Sequence, residues 1–171
     1  FAEYFPFPGL LNRILPVKIS LGTYTPGTDI RLFSLDSWDV GGIICFESYF
    51  SGPALKSAQK GAEHLFVLSN DAWFLESSGM EQHAQAAAFR AVETGIGVTQ
   101  VANTGYTISF DCKGRKILCL PRAEDEIALL ETNLPQRTTL YRCWGDYFLY
   151  LCVLILAVFF FRGYFKRSLS L

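Results

Sequence analysis

The sequence predicts an α/β domain on a mixed sheet, followed by one apolar C-terminal helix. Three observations predict it. Two short runs that are apolar on both faces, GIICF at residues 42–46 and HLFVLS at residues 64–69, alternate with helical segments, as buried strands of a parallel sheet do. Short strands separated by turn residues follow them, which marks hairpins. Last, residues 147–161 carry no charge at all.

Each element has its own local signal. Residues 1–28 hold Pro6, Pro8, Pro16 and Pro26 and read as loop, with one helical turn at residues 10–14. Residues 29–35 and 38–46 read as strands joined by a hairpin at Asp36-Ser37. Residues 53–62 read as a helix with Pro53 in its first turn, where a missing N–H costs nothing. After the strand at residues 64–69, residues 70–79 form a loop. Residues 80–94 are rich in Ala, Gln and Glu and form the clearest helix, stopped by Gly95 and Gly97. A strand at 97–102, a turn at Asn103-Thr104-Gly105, a hairpin of 106–111 with 115–120 about Lys113-Gly114, and a last strand at 126–132 complete the domain. Strand–helix–strand–helix–strand order followed by hairpins is the pattern of an α/β domain with a mixed sheet. Residues 133–146 read as a linker.

The apolar run at 147–161 is shorter than the roughly 20 residues of a membrane-spanning helix. Gly163, Tyr164 and Phe165 extend it past Arg162, whose long stem reaches an interface. Trp144, Tyr147, Tyr150 and Tyr164 suit the two interfaces. A buried core helix or a strand is the competing reading; the absence of any polar break favours a transmembrane helix at 147–165 with a basic tail at 166–171. Arg162, Lys166 and Arg167 follow the run, against Arg137 and Arg142 before it. The positive-inside tendency then puts the tail in the cytoplasm and residues 1–146 on the other side. A tail-anchored cytosolic domain is the competing topology.

Composition narrows the function. Half of the residues are hydrophobic and 18% are charged, which excludes a disordered chain. Fifteen basic residues against sixteen acidic ones give a net charge of −1, which argues against nucleic-acid binding by phosphate neutralisation. The five cysteines show no zinc spacing and no disulfide framework, and no Gly-rich nucleotide loop or HExxH occurs. No cofactor and no metal are expected.

Four groups of residues are able to carry chemistry. Cys45 ends a buried strand, at the sheet edge where α/β enzymes place their sites, and a thiolate there is a good acyl acceptor. An inert core thiol is the plainer alternative. Glu47 suits a base or a hydrogen-bond acceptor, or only a helix cap. Asn70-Asp71 with Trp73-Phe74 suits a pocket that orients polar groups and holds an apolar substrate, or an ordinary Asx turn. His83 and Arg90 lie seven residues apart on one helix face. Arg90 is placed to bridge helix and sheet through a carboxylate, and His83 reads as a satisfied, partly buried histidine.

Six short motifs in order then resemble one family. Phe1-Ala2-Glu3-Tyr4-Phe5-Pro6, Ile44-Cys45-Phe46-Glu47-Ser48, Asn70-Asp71-Ala72-Trp73-Phe74, Gln82-His83, Arg90-Ala91-Val92-Glu93 and Asn103-Thr104-Gly105 are similar to the C-terminal half of bacterial apolipoprotein N-acyltransferases. The resemblance implies part of a nitrilase-like αββα sandwich over residues 1–132, on the periplasmic side of the bacterial inner membrane. It implies transfer of a fatty acyl group from a phospholipid to Cys45 as a thioester, then to the N-terminal cysteine α-amine of an apolipoprotein. Glu3 matches a second glutamate that positions catalytic groups. Phe46 and Glu47 match the pair after the nucleophile. Trp73 matches an aromatic residue of a mobile loop that meets acyl chains, and Asn70 and Phe74 flank it.

The resemblance also implies what this chain lacks. The family's glutamate base and lysine precede the residue matching Glu3, and Lys56 and Lys60 stand where the motif has no lysine. The chain alone is therefore expected to be inactive, a fragment whose missing N-terminal portion is a possible partner. A catalytically dead, membrane-tethered remnant and a small-amide carbon–nitrogen hydrolase are the other two readings. Ile96, Gly97 and Gln100 depart from the family's arginine, proline and arginine, changes expected to weaken contact with anionic lipid or to loosen the strand entry.

Overall fold

The computed structural model describes residues 27–36, 38–75, 77–120, 126–130 and 136–168, with side chains as far as Arg162. The chain divides into two compact units, Phe1–Ile30 and Arg31–Leu171. The expected helical turn at residues 10–14 and Glu3 lie outside the described residues. In the second unit the elements run β1 (Leu32–Leu35), β2 (Trp38–Ile44), a 3-10 helix (Cys45–Tyr49), α1 (Ser51–Gln59), β3 (His64–Ser69), a second 3-10 helix (Asp71–Phe74), α2 (Gly79–Thr94), β4 (Gly97–Ala102), β5 (Ile108–Phe110), β6 (Lys116–Cys119), α3 (Leu140–Trp144) and α4 (Tyr147–Ser168).

The six strands form one mixed sheet in chain order. β2, β3 and β4 are parallel, because each connection between them carries a helix; the outer pairs are antiparallel hairpins or neighbours. Asp36 takes a φ of +47° where β1 turns into β2. At the β5–β6 turn the Asp111 carboxylate accepts the N–H groups of Lys113 and Arg115 at 2.9 Å each.

Both helices cover the same face of the sheet. α1 contributes Ala54 and Ala58 and α2 contributes Ala84, Ala87 and Ala91 to a core with Ile43, Leu65, Val67, Val98, Ile108 and Phe110. Small residues at helical spacing let the helices lie close on the strands. Gly41 takes this furthest: a Cβ there would stand 2.6 Å from Leu65 and 3.0 Å from Ser57 of α1. On the opposite face His64, Thr99 and Ser109 are buried, while an apolar strip at the carboxyl ends of the parallel strands is open among the described residues. Ile44, Leu68 and Val101 stand in register across β2, β3 and β4 and are all exposed, with Phe33 beside them.

Three expectations need correction. Cys45 and Phe46 do not continue β2; the strand stops at Ile44 because Cys45 turns into the 3-10 helix. Residues 126–130 form no strand. Ile127 and Leu129 alternate as a strand requires, but no sheet edge pairs with them among the described residues, and both are fully exposed. The expected transmembrane segment at 147–165 is helical as part of α4. Among the described residues, however, no helix is long and apolar enough to cross a membrane.

Candidate active site

The carboxyl ends of the three parallel strands converge, and the candidate site is built there. Cys45 follows β2, Asp71 follows β3 and Asn103-Thr104-Gly105 follow β4. Backbone bonds tie the last two together: Asp71 N–H donates to the Thr104 carbonyl at 2.9 Å, and Asn103 N–H to that of Ser69 at 3.2 Å.

Cys45 has a φ of +45°. A non-glycine residue in that conformation stores about 1–3 kcal/mol of strain, which the surroundings must hold in place. Four contacts do so. The Glu47 carboxylate accepts the Ile44 N–H at 2.8 Å, closing the 3-10 helix from inside. Phe50 N–H donates to the Glu47 carbonyl at 3.0 Å. His83 Nε2 donates to the Cys45 carbonyl at 3.1 Å. Arg90 Nη1 donates to the Ser48 carbonyl at 2.8 Å.

His83 and Asp71 are both fully buried and paired, Nδ1 to Oδ1, at 2.8 Å. The same carboxylate accepts Ser69 Oγ and, at 3.3 Å, Gln100 Nε2. A backbone carbonyl only accepts, so Nε2 carries a hydrogen; one further proton is then shared between Nδ1 and the carboxylate. The imidazole stacks on Tyr49 at 5.4 Å, with planes 9° apart, and meets Phe74 from another direction at 5.9 Å. Burial, then the charges of Asp71 and Cys45, push the Tyr49 phenol up from its ordinary value. Donor atoms of Cys45, Asp71 and His83 lie within 4.8 Å of one another, the donor set of a thiophilic cation. Both ring nitrogens are already committed to protein partners, so this arrangement reads first as a hydrogen-bonded support.

The remaining residues singled out in the sequence fall around this centre. Phe46 is exposed and packs on Tyr49 and Phe50. Asn70 uses its Oδ1 to cap the second 3-10 helix through Ala72 N–H at 3.2 Å, the Asx-turn role. Trp73 is 88% exposed, and Phe74 is half-buried against His83. Lys56 lies exposed on α1 and Lys60 exposed just after it. Arg90 and His83 share a face of α2, as their spacing requires. Arg90 grips Glu93 through two bonds, at 2.8 and 2.7 Å, and reaches the 3-10 helix rather than the sheet. Ile96, Gly97 and Gln100 are all buried, so these departures from the family pattern do not face lipid. Gln100 instead sits beside Asp71, with its Oε1 buried and lacking a partner among the described residues.

The sequence reading missed the link from Asp71 through His83 to the Cys45 carbonyl. The spacing of His83 and Arg90 was the available signal; what the two side chains grip becomes visible only when α2 lies over the 3-10 helix.

A mixed sheet with three parallel strands at its centre and helices packed on one face is an α/β fold. Residues 6–142 match the carbon-nitrogen hydrolase family, and the chain belongs to it. Among curated relatives, the apolipoprotein N-acyltransferase of Geobacter metallireducens is 31% identical over 153 residues, covering 90% of this chain and 29% of that protein. That of Thermotoga maritima is 34% identical over 159 residues, covering 92% and 31%. That of Haemophilus ducreyi is 34% identical over 175 residues, covering 98% and 33%. The chain thus spans about a third of the length of these curated relatives. Among solved structures, the carbon-nitrogen hydrolase of Helicobacter pylori G27 has a TM-score of 0.55 at 13% identity, covering 60% of this chain and 43% of that one. Nit3 of Saccharomyces cerevisiae, a member of branch 10 of the nitrilase superfamily, has a TM-score of 0.51 at 23% identity, covering 60% and 41%. The mixed six-stranded sheet with its helices is a nitrilase-like fold.

Proposed function

We propose that this chain is the nucleophile-bearing part of a lipid-using N-acyltransferase that matures lipoproteins. The observation that carries the reading is Cys45, held at a φ of +45° at the end of a central parallel strand, in a chain whose curated relatives are named apolipoprotein N-acyltransferases. In the first step the Cys45 thiolate attacks the ester carbonyl of a phospholipid. The ester C–O bond breaks, a thioester forms, and the lysophospholipid leaves as an alcohol after taking up the thiol proton. In the second step the α-amine of an apolipoprotein's N-terminal cysteine attacks the thioester. An amide forms, the amine loses its proton, and the thiol returns.

Phe46, Trp73 and Phe74 are proposed to meet the acyl chain, with Asn70 shaping their loop. Glu47 is proposed to act through its hold on the Ile44 N–H. Glu3 is proposed to position the catalytic groups. The base and the lysine come from the portion of such an enzyme upstream of Glu3, so residues 1–171 alone do not turn over. The open apolar face of Ile44, Leu68 and Val101 supports a missing second layer of an αββα sandwich. Residues 1–132 serve as part of that domain and 133–146 as a linker. The uncharged run at 147–161 and the exposure of its described side chains support a lipid environment. The likeness to bacterial apolipoprotein N-acyltransferases supports a place at the bacterial inner membrane, with the globular part periplasmic.

The test is to incubate the full-length protein with phospholipid and digest it for mass analysis of the Cys45 peptide. An acyl adduct on Cys45 that a lipoprotein peptide discharges is expected, and C45A abolishes it. An unmodified Cys45 together with release of ammonia from small amides would replace this reading with that of a small-amide hydrolase.

A further inference from the structure

We infer that His83 is a positioning residue for the nucleophile, acting through the Cys45 carbonyl and not on its thiol. The inference rests on the acyltransferase reading only for the identity of the acyl donor. Its geometry is independent. α2 touches the nucleophile turn at two points two helical turns apart: His83 Nε2–H on the Cys45 carbonyl and Arg90 Nη1–H on the Ser48 carbonyl. These carbonyls open and nearly close the 3-10 helix Cys45–Tyr49. Each donor is fixed from behind by a carboxylate, Asp71 for His83 and Glu93 for Arg90. Tyr49, itself in that 3-10 helix, stacks on the imidazole and sets the ring plane. The clamp therefore holds the left-handed backbone of Cys45, and with it the direction of the thiol.

A general-base role makes a different demand, a ring nitrogen directed at the sulfur. Nε2 instead bonds the carbonyl, and Nδ1 is taken by Asp71. Charged and titratable groups about the thiol are Asp71, His83, Tyr49, Glu47 and Arg90, and in this arrangement none bonds to it among the described contacts.

The experiment compares His83→Gln, His83→Asn and His83→Leu in the full-length protein. A glutamine amide nitrogen reaches the place of Nε2 and keeps the bond to the Cys45 carbonyl; an asparagine amide nitrogen reaches only the place of Nδ1. Two rates are read on the Cys45 peptide: acyl-adduct formation from phospholipid, and alkylation by iodoacetamide as a function of pH, which needs no acyl donor. The chain carries its own controls. Cys112 is buried and reports unfolding, while Cys119 and Cys143 are exposed and report general reactivity.

With a positioning role, H83Q stays within about threefold of the parent, while H83N and H83L slow both reactions of Cys45 about 10–100-fold. The pH midpoint of alkylation stays in place and Cys112 stays unreactive. Equal impairment of H83Q and H83L, or a midpoint displaced by a pH unit or more, would show a base or charge acting on the thiol and overturn the inference. Unchanged rates in H83L, or slowing that merely tracks exposure of Cys112, would overturn it as well. If none of the three variants folds, Ser69→Ala removes one donor from Asp71 at a half-buried position. It is expected to slow Cys45 alkylation at least threefold with Cys112 silent, and an unchanged rate overturns the inference. A parent that alkylates in this pattern but takes no acyl group refutes the acyltransferase reading alone.

Discussion

Gly105→Ala is the sharpest test of how the site is supported, because the damage is local and calculable. Gly105 follows β4 with a φ of +117°, a conformation that only glycine adopts without strain. An added Cβ would stand 2.6 Å from Asp71 Oδ2 and 2.7 Å from Asp71 Cβ. Asp71 has nowhere to retreat: its carboxylate is bonded to Ser69, His83 and Gln100, and its N–H to Thr104. The backbone strain costs about 1–3 kcal/mol. Overpacking a buried site costs about 1–3 kcal/mol more. A loss of about 4 kcal/mol is expected, a large share of the roughly 5–15 kcal/mol that holds a domain together. The assay is urea unfolding in detergent, followed by the fluorescence of Trp38, which packs against His64 and Phe66. Gly42→Ala is the matched control: among the described residues its Cβ meets only the Phe33 ring, at 3.4 Å on the open face of the sheet. Replacing a strand glycine there is expected to raise stability by about 0.5 kcal/mol. A G105A protein within about 0.5 kcal/mol of the parent would refute the claim that Asp71 is immobile.

Three further outcomes are expected. Burial holds the His64 imidazole down at about 4, against an ordinary 6.5. The folded state thus resists the proton that the unfolded chain accepts, and stability is full above about pH 6.5 and falls by about 3 kcal/mol as pH drops to about 4. The difference between parent and His64→Phe stability curves should carry that slope, and a flat difference would contradict it. Glu47→Gln keeps an acceptor for the Ile44 N–H, so its urea midpoint should stay near the parent's, whereas Glu47→Ala should lose about 1–2 kcal/mol; an inactive but fully stable E47Q would assign Glu47 a chemical role instead. Trp73→Ala, at an exposed position, should leave stability within about 0.5 kcal/mol while reducing association with phospholipid vesicles measured by flotation, and unchanged flotation would remove Trp73 from the lipid contact.

The parallel core of this fold is legible in the sequence for a physical reason. β3 is a near-continuous apolar run after His64, β4 sets Thr99 and Gln100 among apolar and small residues, and both end where turn residues begin; the expected bounds, 64–69 and 97–102, are those observed. α2 is found to within one residue because its alanine face and the glycine stop agree. The expected strand at 126–132 fails on the same physics. Alternation describes a chain that can pair, not the edge that accepts it, and Ile127 and Leu129 are left exposed.

The site divides in the same way. That Cys45 ends a strand can be read from GIICF and the helix that follows. That its backbone is left-handed cannot, because the turn is held from 38 residues away by His83 and from 42 residues away by Arg90. Residues of the turn itself supply the Glu47 cap on Ile44 and the bond from Phe50 N–H to the Glu47 carbonyl. A cysteine there without α2 would relax toward ordinary backbone angles, since neither of these local bonds is made by Cys45 itself. The short motifs at Asn70-Asp71, Gln82-His83, Arg90-Ala91-Val92-Glu93 and Asn103-Thr104-Gly105 are thus parts of one device. Asp71 orients His83, Glu93 orients Arg90, Gly105 makes room for Asp71, and all of them act on the turn that carries the thiol. Residues that seem to have separate purposes in the sequence have one in the fold, which is to keep Cys45 in a conformation it would not otherwise hold.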